Sequence, residues 1–376
     1  MKVLLINRIP HQTPLLYNVC NNMLRHNIEV DLFNFNNGLY YSSRNKKISI
    51  FYKSYRMICS FSIVRKVFNR YFLKTIITNI ARNYDVIDFQ GLFTHQYIHI
   101  IPKVKQQGQK IIITIWGSDF YRQVGGTWEE KTTCYESCDI IHIATEQMKT
   151  DFVSKYPQFE QKMRVVHFGI AQLELLKELL KESNRLEDSF LSIPENAIVL
   201  SCGYNGIPVQ QHESMIKALL ALPIEMRNRL FILFPMTYGT PTGYIEKIES
   251  LLQGTKIRYK LFLRRLSLKE LMTLRIKTNI AVNIQKTDAF AASIQEHIMA
   301  GNLLVVGDWL PYQILEENGI FVRRTSFEDL TTNIKWAIDN YLSLQETLKK
   351  NQERMYHLSS WKYVSEKWAN IYQELA

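Results

Sequence analysis

The chain has 376 residues, 46% of them hydrophobic and 22% charged, and carries a formal net charge of +11. At about 100–200 residues per domain, this length predicts two domains, and the composition excludes a disordered or collagen-like chain. The five cysteines (Cys20, Cys59, Cys134, Cys138 and Cys202) have no framework spacing, which excludes a disulfide-stapled scaffold and predicts reduced thiols in a cytoplasmic protein.

The opening segment, MKVLLINRIP, has an apolar run from Val3 to Ile6 only, too short for a signal peptide and right for a buried strand. A loop with Pro10 and Pro14 follows, then a helical stretch, LLYNVCNNMLRH, and an alternating strand, EVDLFNF (29–35). Between Arg44 and Arg82 there are ten Lys/Arg residues and no Asp or Glu, interleaved with Phe51, Tyr52, Tyr55, Phe61, Phe68, Tyr71 and Phe72. This helical segment 44–82 fits either a solvated face with core aromatics or a surface that lies on an anionic membrane. No nucleic-acid motif accompanies it, so no nucleic-acid partner is expected. DVIDFQ (85–90) is a strand, and the helix HQYIHIIPKVKQQG closes on Gly108. KIIITIWGSDF (110–120) is the clearest strand and loop, CDIIHIA (138–144) is another strand, Thr145 to Lys155 a short helix, and RVVHFGI (164–170) the last strand of this half.

A charged helical segment at 171–194 ends at Pro194, and the pattern restarts. AIVLSCGYNG (197–206) is a strand running into a glycine loop, with a helix from Gln211 to Leu220 behind it. RLFILFP (229–235), KIRYKLFL (256–263), IAVNI (280–284), LLVVGD (303–308) and IFVRR (320–324) are further strands, separated by helical segments. No stretch approaches the roughly 20 apolar residues of a membrane span. Two series of alternating strands and helices, each opening on a strand, predict an α/β chain with two doubly wound, Rossmann-like domains. Their strand-end loops would then face each other across a cleft, and ligands of such sheets bind beyond the carboxyl ends of the strands.

Five strand-end segments carry candidate chemistry. After strand 280–284 comes TDAFAASIQEHIMAG (287–301), in which a loop with Asp288 leads into a helix near Ser293. Small Ala291 and Ala292 leave backbone amides accessible, helix N-termini attract anions, and Glu296 one turn later suits vicinal hydroxyls. Ser293 and Glu296 equally fit a capping box, which needs no ligand. The loop CGYNGIPVQQHESM (202–215) has Gly203 and Gly206 for unusual backbone angles and runs through Asn205, Gln210 and Gln211 to His212 at another helix start; an ordinary tight turn is the alternative. Arg264 and Arg265 end a strand before a second S-x-x-E box, Ser267 to Glu270, either as phosphate ligands or as a solvated pair. In the first half, WGSDFYR (116–122) offers Asp119 as an acid, base or hydroxyl ligand, or as a helix N-cap. Trp116 there either stacks on a sugar or plugs the sheet end. Arg8 and His11 sit in the loop 7–13.

The segment from Asp288 to Glu296 resembles the signature of GT-B retaining glycosyltransferases, notably family 4, in which two acidic residues are separated by seven others around a Phe-Gly-Leu-like core; here Phe290 and Ala291 stand in that core. The resemblance implies that Asp288 contacts donor-sugar hydroxyls, that amides from Ala291 through Ala292 to Ser293 contact sugar and diphosphate, and that Glu296 binds the ribose. Asp288 departs from the Glu usual in the family and has one methylene less reach. The loop at Gly203, Asn205 and His212 lacks the family's Arg and Lys and is similar instead to family 56, whose amide-rich loop precedes a His; Arg264 would then supply the missing cation. WGSDFYR is similar to an element at the acceptor face. RVVHFGI, GIFVRRTSFEDL and the last helix, with Trp361 and Trp368, resemble corresponding elements of the family, the helix being one that crosses back onto the first domain.

On this basis the expected domains are 1–170 for the acceptor, 171–355 for the nucleotide-sugar donor, and a returning helix at 356–376. The implied function is transfer of a glycosyl group from a nucleotide-diphosphate sugar to a hydroxyl of a glycan or polyprenyl-diphosphate-linked acceptor, in bacterial surface polysaccharide synthesis. Asp119 and Asp288 are the catalytic candidates. No cofactor or metal is expected, and the chain has no Asp-x-Asp triplet. Family 4 implies retention of anomeric configuration and family 56 inversion; retention is the expectation. The expected location is cytoplasmic, on the inner face of the membrane if segment 44–82 binds it. A GT-B sugar-nucleotide epimerase and a non-catalytic sugar-nucleotide-binding protein are the alternatives.

Overall fold

A computed structural model describes residues 1–9, 13–42, 50–183, 186–288 and 290–376. The chain forms two compact units, 1–169 with 361–376, and 170–360. The candidate His11 and the start of the basic segment lie outside the described residues.

The first unit runs β1 (Lys2–Asn7), α1 (Thr13–Met23), β2 (Glu29–Asn34), β3 (Leu39–Ser42), α2 (Ile50–Ser60), α3 (Ser62–Ala81), β4 (Val86–Gln90), α4 (Tyr97–Lys105), β5 (Lys110–Thr114), α5 (Ser118–Tyr121), α6 (Trp128–Ser137), β6 (Ile140–Ile143), α7 (Glu146–Lys155) and β7 (Met163–Val165). Its described strands form one sheet in the order β3-β2-β1-β4-β5-β6-β7. All neighbours pair in parallel except β2 and β3. The parallel strands are buried on both faces, so Leu4, Ile87, Ile111 and Ile141 all lie in the core. The edge strand β3 is not legible as an alternating run; its signal is the Asn36-Asn37-Gly38 turn, with Gly38 at φ +66°, which folds LYYS back onto β2.

The second unit runs α8 (Gln172–Lys181), β8 (Ile198–Cys202), α9 (His212–Leu220), α10 (Ile224–Arg227), β9 (Leu230–Phe234), α11 (Tyr244–Leu252), β10 (Arg258–Leu261), α12 (Leu268–Lys277), β11 (Ile280–Asn283), α13 (Ala292–Met299), β12 (Leu303–Gly307), α14 (Gln313–Glu317), β13 (Arg323–Thr325), α15 (Leu330–Asn340) and α16 (Gln345–Ser359). Its parallel sheet has the order β10-β9-β8-β11-β12-β13. Counted within the unit this is 3-2-1-4-5-6, the Rossmann order. The order reverses between β8 and β11, as it does between β1 and β4 in the first unit. These reversal points are where doubly wound sheets open a crevice for ligands.

The last helix, α17 (Trp361–Gln373), belongs to the first unit. Trp368 and Tyr372 are buried there. Trp368 donates Nε1–H to the His167 carbonyl at 3.1 Å, and the Tyr372 hydroxyl donates to Asp88 at 3.0 Å. A Cβ on Gly169 would sit 2.5 Å from the Trp361 ring, so only glycine lets that indole seat.

Candidate functional site

At the reversal point of the second sheet, β8 ends at Gly203, whose φ of +65° suits glycine. A Cβ there would lie 3.0 Å from Gln210 Oε1 and 3.1 Å from His212 Nε2, so glycine keeps this space open. Asn205 is a turn residue: its Oδ1 accepts from the Ile207 amide at 2.9 Å. Gln210 Oε1 accepts from the Tyr204 amide at 3.2 Å, and Gln210 Nε2 donates to Gln285 Oε1 at 2.7 Å. The Tyr204 hydroxyl donates to the same Gln285 oxygen at 3.0 Å. The Lys286 amide donates to the Val209 carbonyl at 3.1 Å. The loop after β8 and the loop after β11 are thus cross-linked by both side chains and backbone.

His212 opens α9 and is fully buried, with Nδ1 3.2 Å from the Tyr244 hydroxyl. Burial pushes its pKa down to about 4, against a smaller upward pull from the Asn205 backbone. Near neutral pH the imidazole is therefore uncharged and offers at most one N–H. Its Nε2 and the Nε2 of Gln285 are buried without a hydrogen-bond partner. The first is a donor or an acceptor according to the tautomer and the second is a donor; a buried polar atom left without a partner costs about 1–3 kcal/mol.

The loop after β11 presents Asp288 half-buried. Its Oδ2 accepts from the Ala291 amide at 3.0 Å and from the Tyr312 hydroxyl, and that hydroxyl accepts from Asn283 Nδ2 at 2.9 Å. Burial, then the charge of Asp288, pushes the Tyr312 phenol well above its usual pKa, so it stays a donor. Phe290 is buried at φ +67°, a left-handed conformation that is strained for a bulky side chain. Its carbonyl accepts from Gln295 Nε2 at 3.1 Å, and its ring lies edge-on to Tyr312 at 5.9 Å. Strain of this kind, about 1–3 kcal/mol, gathers at ligand-binding loops.

Helix α13 starts at Ala292 with Ala291 as N-cap and no side-chain cap. The capping-box reading of Ser293 and Glu296 is therefore wrong. Both side chains turn instead to Arg275 of α12, which is 2% exposed. Its Nε reaches Glu296 Oε2 at 3.2 Å, its Nη2 donates to Ser293 Oγ at 2.9 Å, and its Nη1 lies 2.9 Å from His297 Nε2. Burial, then Arg275, holds His297 well below its usual pKa and so uncharged. Glu296 is placed one turn above the amides of Ala292 and Ser293, which have no intrahelical acceptor.

Arg264 already has a partner. It follows β10, an edge strand separated from β8 by β9, and its guanidinium pairs with both oxygens of Glu270. Glu270 closes a true capping box with Ser267. The cation that does lie in the cross-linked loops is Lys286, exposed and next in the chain to Gln285. Sequence reasoning passed over it, although its place two residues before Asp288, just beyond a strand end, was the available signal.

In the first unit the candidates are spent on the scaffold. Asp119 is 1% exposed, and its two oxygens accept from the Leu92 and Trp116 amides, both at 2.9 Å. Gly117, not Asp119, is the N-cap of α5. Buried Lys131 donates to the carbonyls of Asp119 and Val124. The Trp116 ring stacks on Phe168 with centroids 4.4 Å apart. Arg8 donates to the Phe93 carbonyl. Asp119 thus latches two strand-end loops together.

No protein-family model and no curated protein matches the chain. Solved structures do. A glycosyltransferase from Rickettsia africae has a TM-score of 0.74 at 12% identity, covering 100% of this chain and 98% of that one. Anabaena Alr3699/HepE, solved in complex with UDP, has a TM-score of 0.70 at 12% identity with both chains fully covered. An α,α-trehalose-phosphate synthase (UDP-forming) from Burkholderia xenovorans, solved with glucose-6-phosphate, has a TM-score of 0.70 at 12% identity, covering 100% and 99%. The chain has the fold of these GT-B glycosyltransferases, a mixed α/β architecture of two Rossmann-like units.

Proposed function

We propose that the protein is a nucleotide-sugar-dependent glycosyltransferase, similar to family 4 and retaining, which transfers a sugar to a hydroxyl of a glycan or lipid-linked glycan in bacterial surface polysaccharide synthesis. The observation that carries this reading is the reversal point of the second sheet. Two cross-linked loops there hold buried polar atoms without a hydrogen-bond partner, His212 Nε2 and Gln285 Nε2, beside a half-buried carboxylate, Asp288, and two helix N-termini. UDP in the Anabaena protein of the same fold supports it.

In this proposal Asp288, held by Tyr312 and the Ala291 amide, takes the donor-sugar hydroxyls. The first-turn amides of α13 and α9, with Lys286, stabilise the leaving diphosphate, so its charge is met by helix dipoles and a lysine rather than by a metal ion. Glu296 binds the ribose from its place beside Arg275. Acceptor recognition falls to the first unit, with the acceptor presented at an anionic membrane surface on the cytoplasmic side. Retention rests on the Asp288–Glu296 spacing alone.

A thermal-shift screen over UDP-, GDP-, dTDP- and CMP-sugars tests the reading. A bound donor at a hundred times its Kd stabilises by about 2.7 kcal/mol, so one nucleotide series should raise the melting temperature and the others should not. No shift with any donor rejects the proposal. With the donor known, turnover in the absence of any acceptor hydroxyl would point to an epimerase instead.

A further inference from the structure

We propose that the first half of α3, residues 61–72, is a docking face for an anionic lipid bilayer. The sequence allows two fates for the aromatics of this segment, and the structure divides them. Tyr55 and Leu73 enter the core, with the Tyr55 hydroxyl donating to the Phe35 carbonyl at 2.9 Å. Phe61, Ile63, Val64, Val67, Tyr71 and Phe72 do not: they are between 50% and 77% exposed, Val64 the least and Ile63 the most.

Their arrangement is not scattered. At 3.6 residues per turn, Ile63, Val67, Tyr71 and Val64 succeed one another around α3 through an arc of roughly 100°, beyond which half-buried Phe68, packed on the core, carries exposed Phe72 stacked on its ring. The opposite sector carries Leu73, Ile76 and Ile77, which are buried against the rest of the unit. The outward face of a helix on a soluble body is normally its polar face; here it is apolar. Exposed Arg70 and Lys74 flank the Ile63 margin of the arc, with exposed Lys66 about 40° further round and nearer the N-terminal end of the helix. No Asp or Glu occurs between Asp31 and Asp85. Residues 61–72 span about 17 Å at 1.5 Å per residue, and the helix then continues into the core. That suits a helix lying in the plane of the headgroups with its apolar side down and its lysine stems reaching back to the phosphates. No helix among the described residues is long and apolar enough to cross a membrane.

Charge selects the occupant. A second copy of the same face would bring further cations and no carboxylate to meet them. An anionic bilayer supplies both apolar depth and negative charge, with each lysine or arginine near the surface contributing about 1 kcal/mol, or roughly fivefold in partitioning. The inference concerns the first unit only and stands or falls separately from the donor site.

The experiment is co-sedimentation of the full chain with vesicles of phosphatidylcholine alone and with 30% phosphatidylglycerol. Wild type should pellet with the anionic vesicles and largely remain in solution with the neutral ones. The triple variant F61S/I63S/V67S should lose anionic binding at least tenfold while keeping its melting temperature, since none of the three sits in the core. The variant K66Q/R70Q/K74Q should lose most of the preference for anionic over neutral vesicles. The proposal is overturned if wild type stays soluble with anionic vesicles, or if the F61S/I63S/V67S chain still pellets like wild type. A wild-type dimer that dissociates in that variant would equally overturn it, since a second copy would then cover the face.

Discussion

Both units reverse strand order beside their first strand, and both place a carboxylate near that end of the sheet. Asp119 in the first unit is buried, with both oxygens on backbone amides. Asp288 in the second is half-buried and held by an amide and a tyrosine, beside a strained Phe290 and two buried nitrogens without hydrogen-bond partners. The architecture is shared, so position at a strand end does not by itself make a carboxylate functional. What separates the two is burial. The first unit's acid is a latch closed off from solvent at 1% exposure, whereas the second's is half-exposed at the end of its loop, where a solute can reach it.

Substitutions can break this contrast. The largest effect should come from Arg275→Met. It leaves Glu296 buried at 5% exposure without its partner, and losing one member of a buried pair costs about 3–5 kcal/mol. Urea unfolding reads this directly. For the same reason Glu296→Gln, which can keep a hydrogen bond to Arg275, tests the ribose assignment better than alanine would. It should lower donor affinity in calorimetry, and unchanged affinity would reassign Glu296 to the scaffold.

Next is a pH effect in the first unit. Burial raises the Asp88 carboxyl to about 7, although hydrogen bonds from Thr114 and Tyr372 pull it down. The unfolded value is about 3.9, so from about pH 4 to pH 7 the unfolded chain gives up a proton that the folded chain keeps. Stability from this group is full below pH 4 and is lost as pH rises through 7, at up to about 1.4 kcal/mol per pH unit. Asp88→Asn has no proton to lose and should flatten that slope in unfolding curves at pH 4.5, 6 and 7.5. A slope equal to that of wild type would remove Asp88 as its source.

Asp119→Asn should cost about 2 kcal/mol, because one of its two backbone amides then meets an NH2 group. Donor affinity of the folded variant should be unchanged; a loss of turnover out of proportion to stability would make Asp119 catalytic after all and dissolve the contrast. The smallest effects separate the two cations. Lys286→Met should weaken UDP binding by about tenfold, close to 1.4 kcal/mol, and leave uridine binding as it was. Arg264→Ala, exposed and paired to Glu270, should change neither.

The second unit's strand-end loops were legible because their chemistry is local. Asp288, Glu296, Gly203 and His212 follow apolar runs at the ends of strands, and the strand–loop–helix rhythm locates them without any knowledge of packing. What each side chain does was not legible. Arg275 lies 21 residues before Glu296, and nothing in its helical context marks it as the partner that replaces a capping box. Arg264 and Lys286 look alike as cations beyond strands; only the sheet order puts the first behind an edge strand and the second in the cross-linked loops.

Taken alone, the amino-acid order determined the alternation of apolar strands with helices, and with it two doubly wound units and the loops where a ligand should bind. It did so because strand burial and helix periodicity are written in neighbouring residues. The tertiary structure decided which polar groups are spent on the scaffold and which are left to meet a ligand. It also decided which apolar side chains of residues 50–81 enter the core, as Tyr55 and Leu73 do, and which remain outside, as Phe61, Tyr71 and Phe72 do. Those outcomes depend on residues tens of positions apart coming within hydrogen-bonding or van der Waals reach, and spacing along the chain carries no record of that.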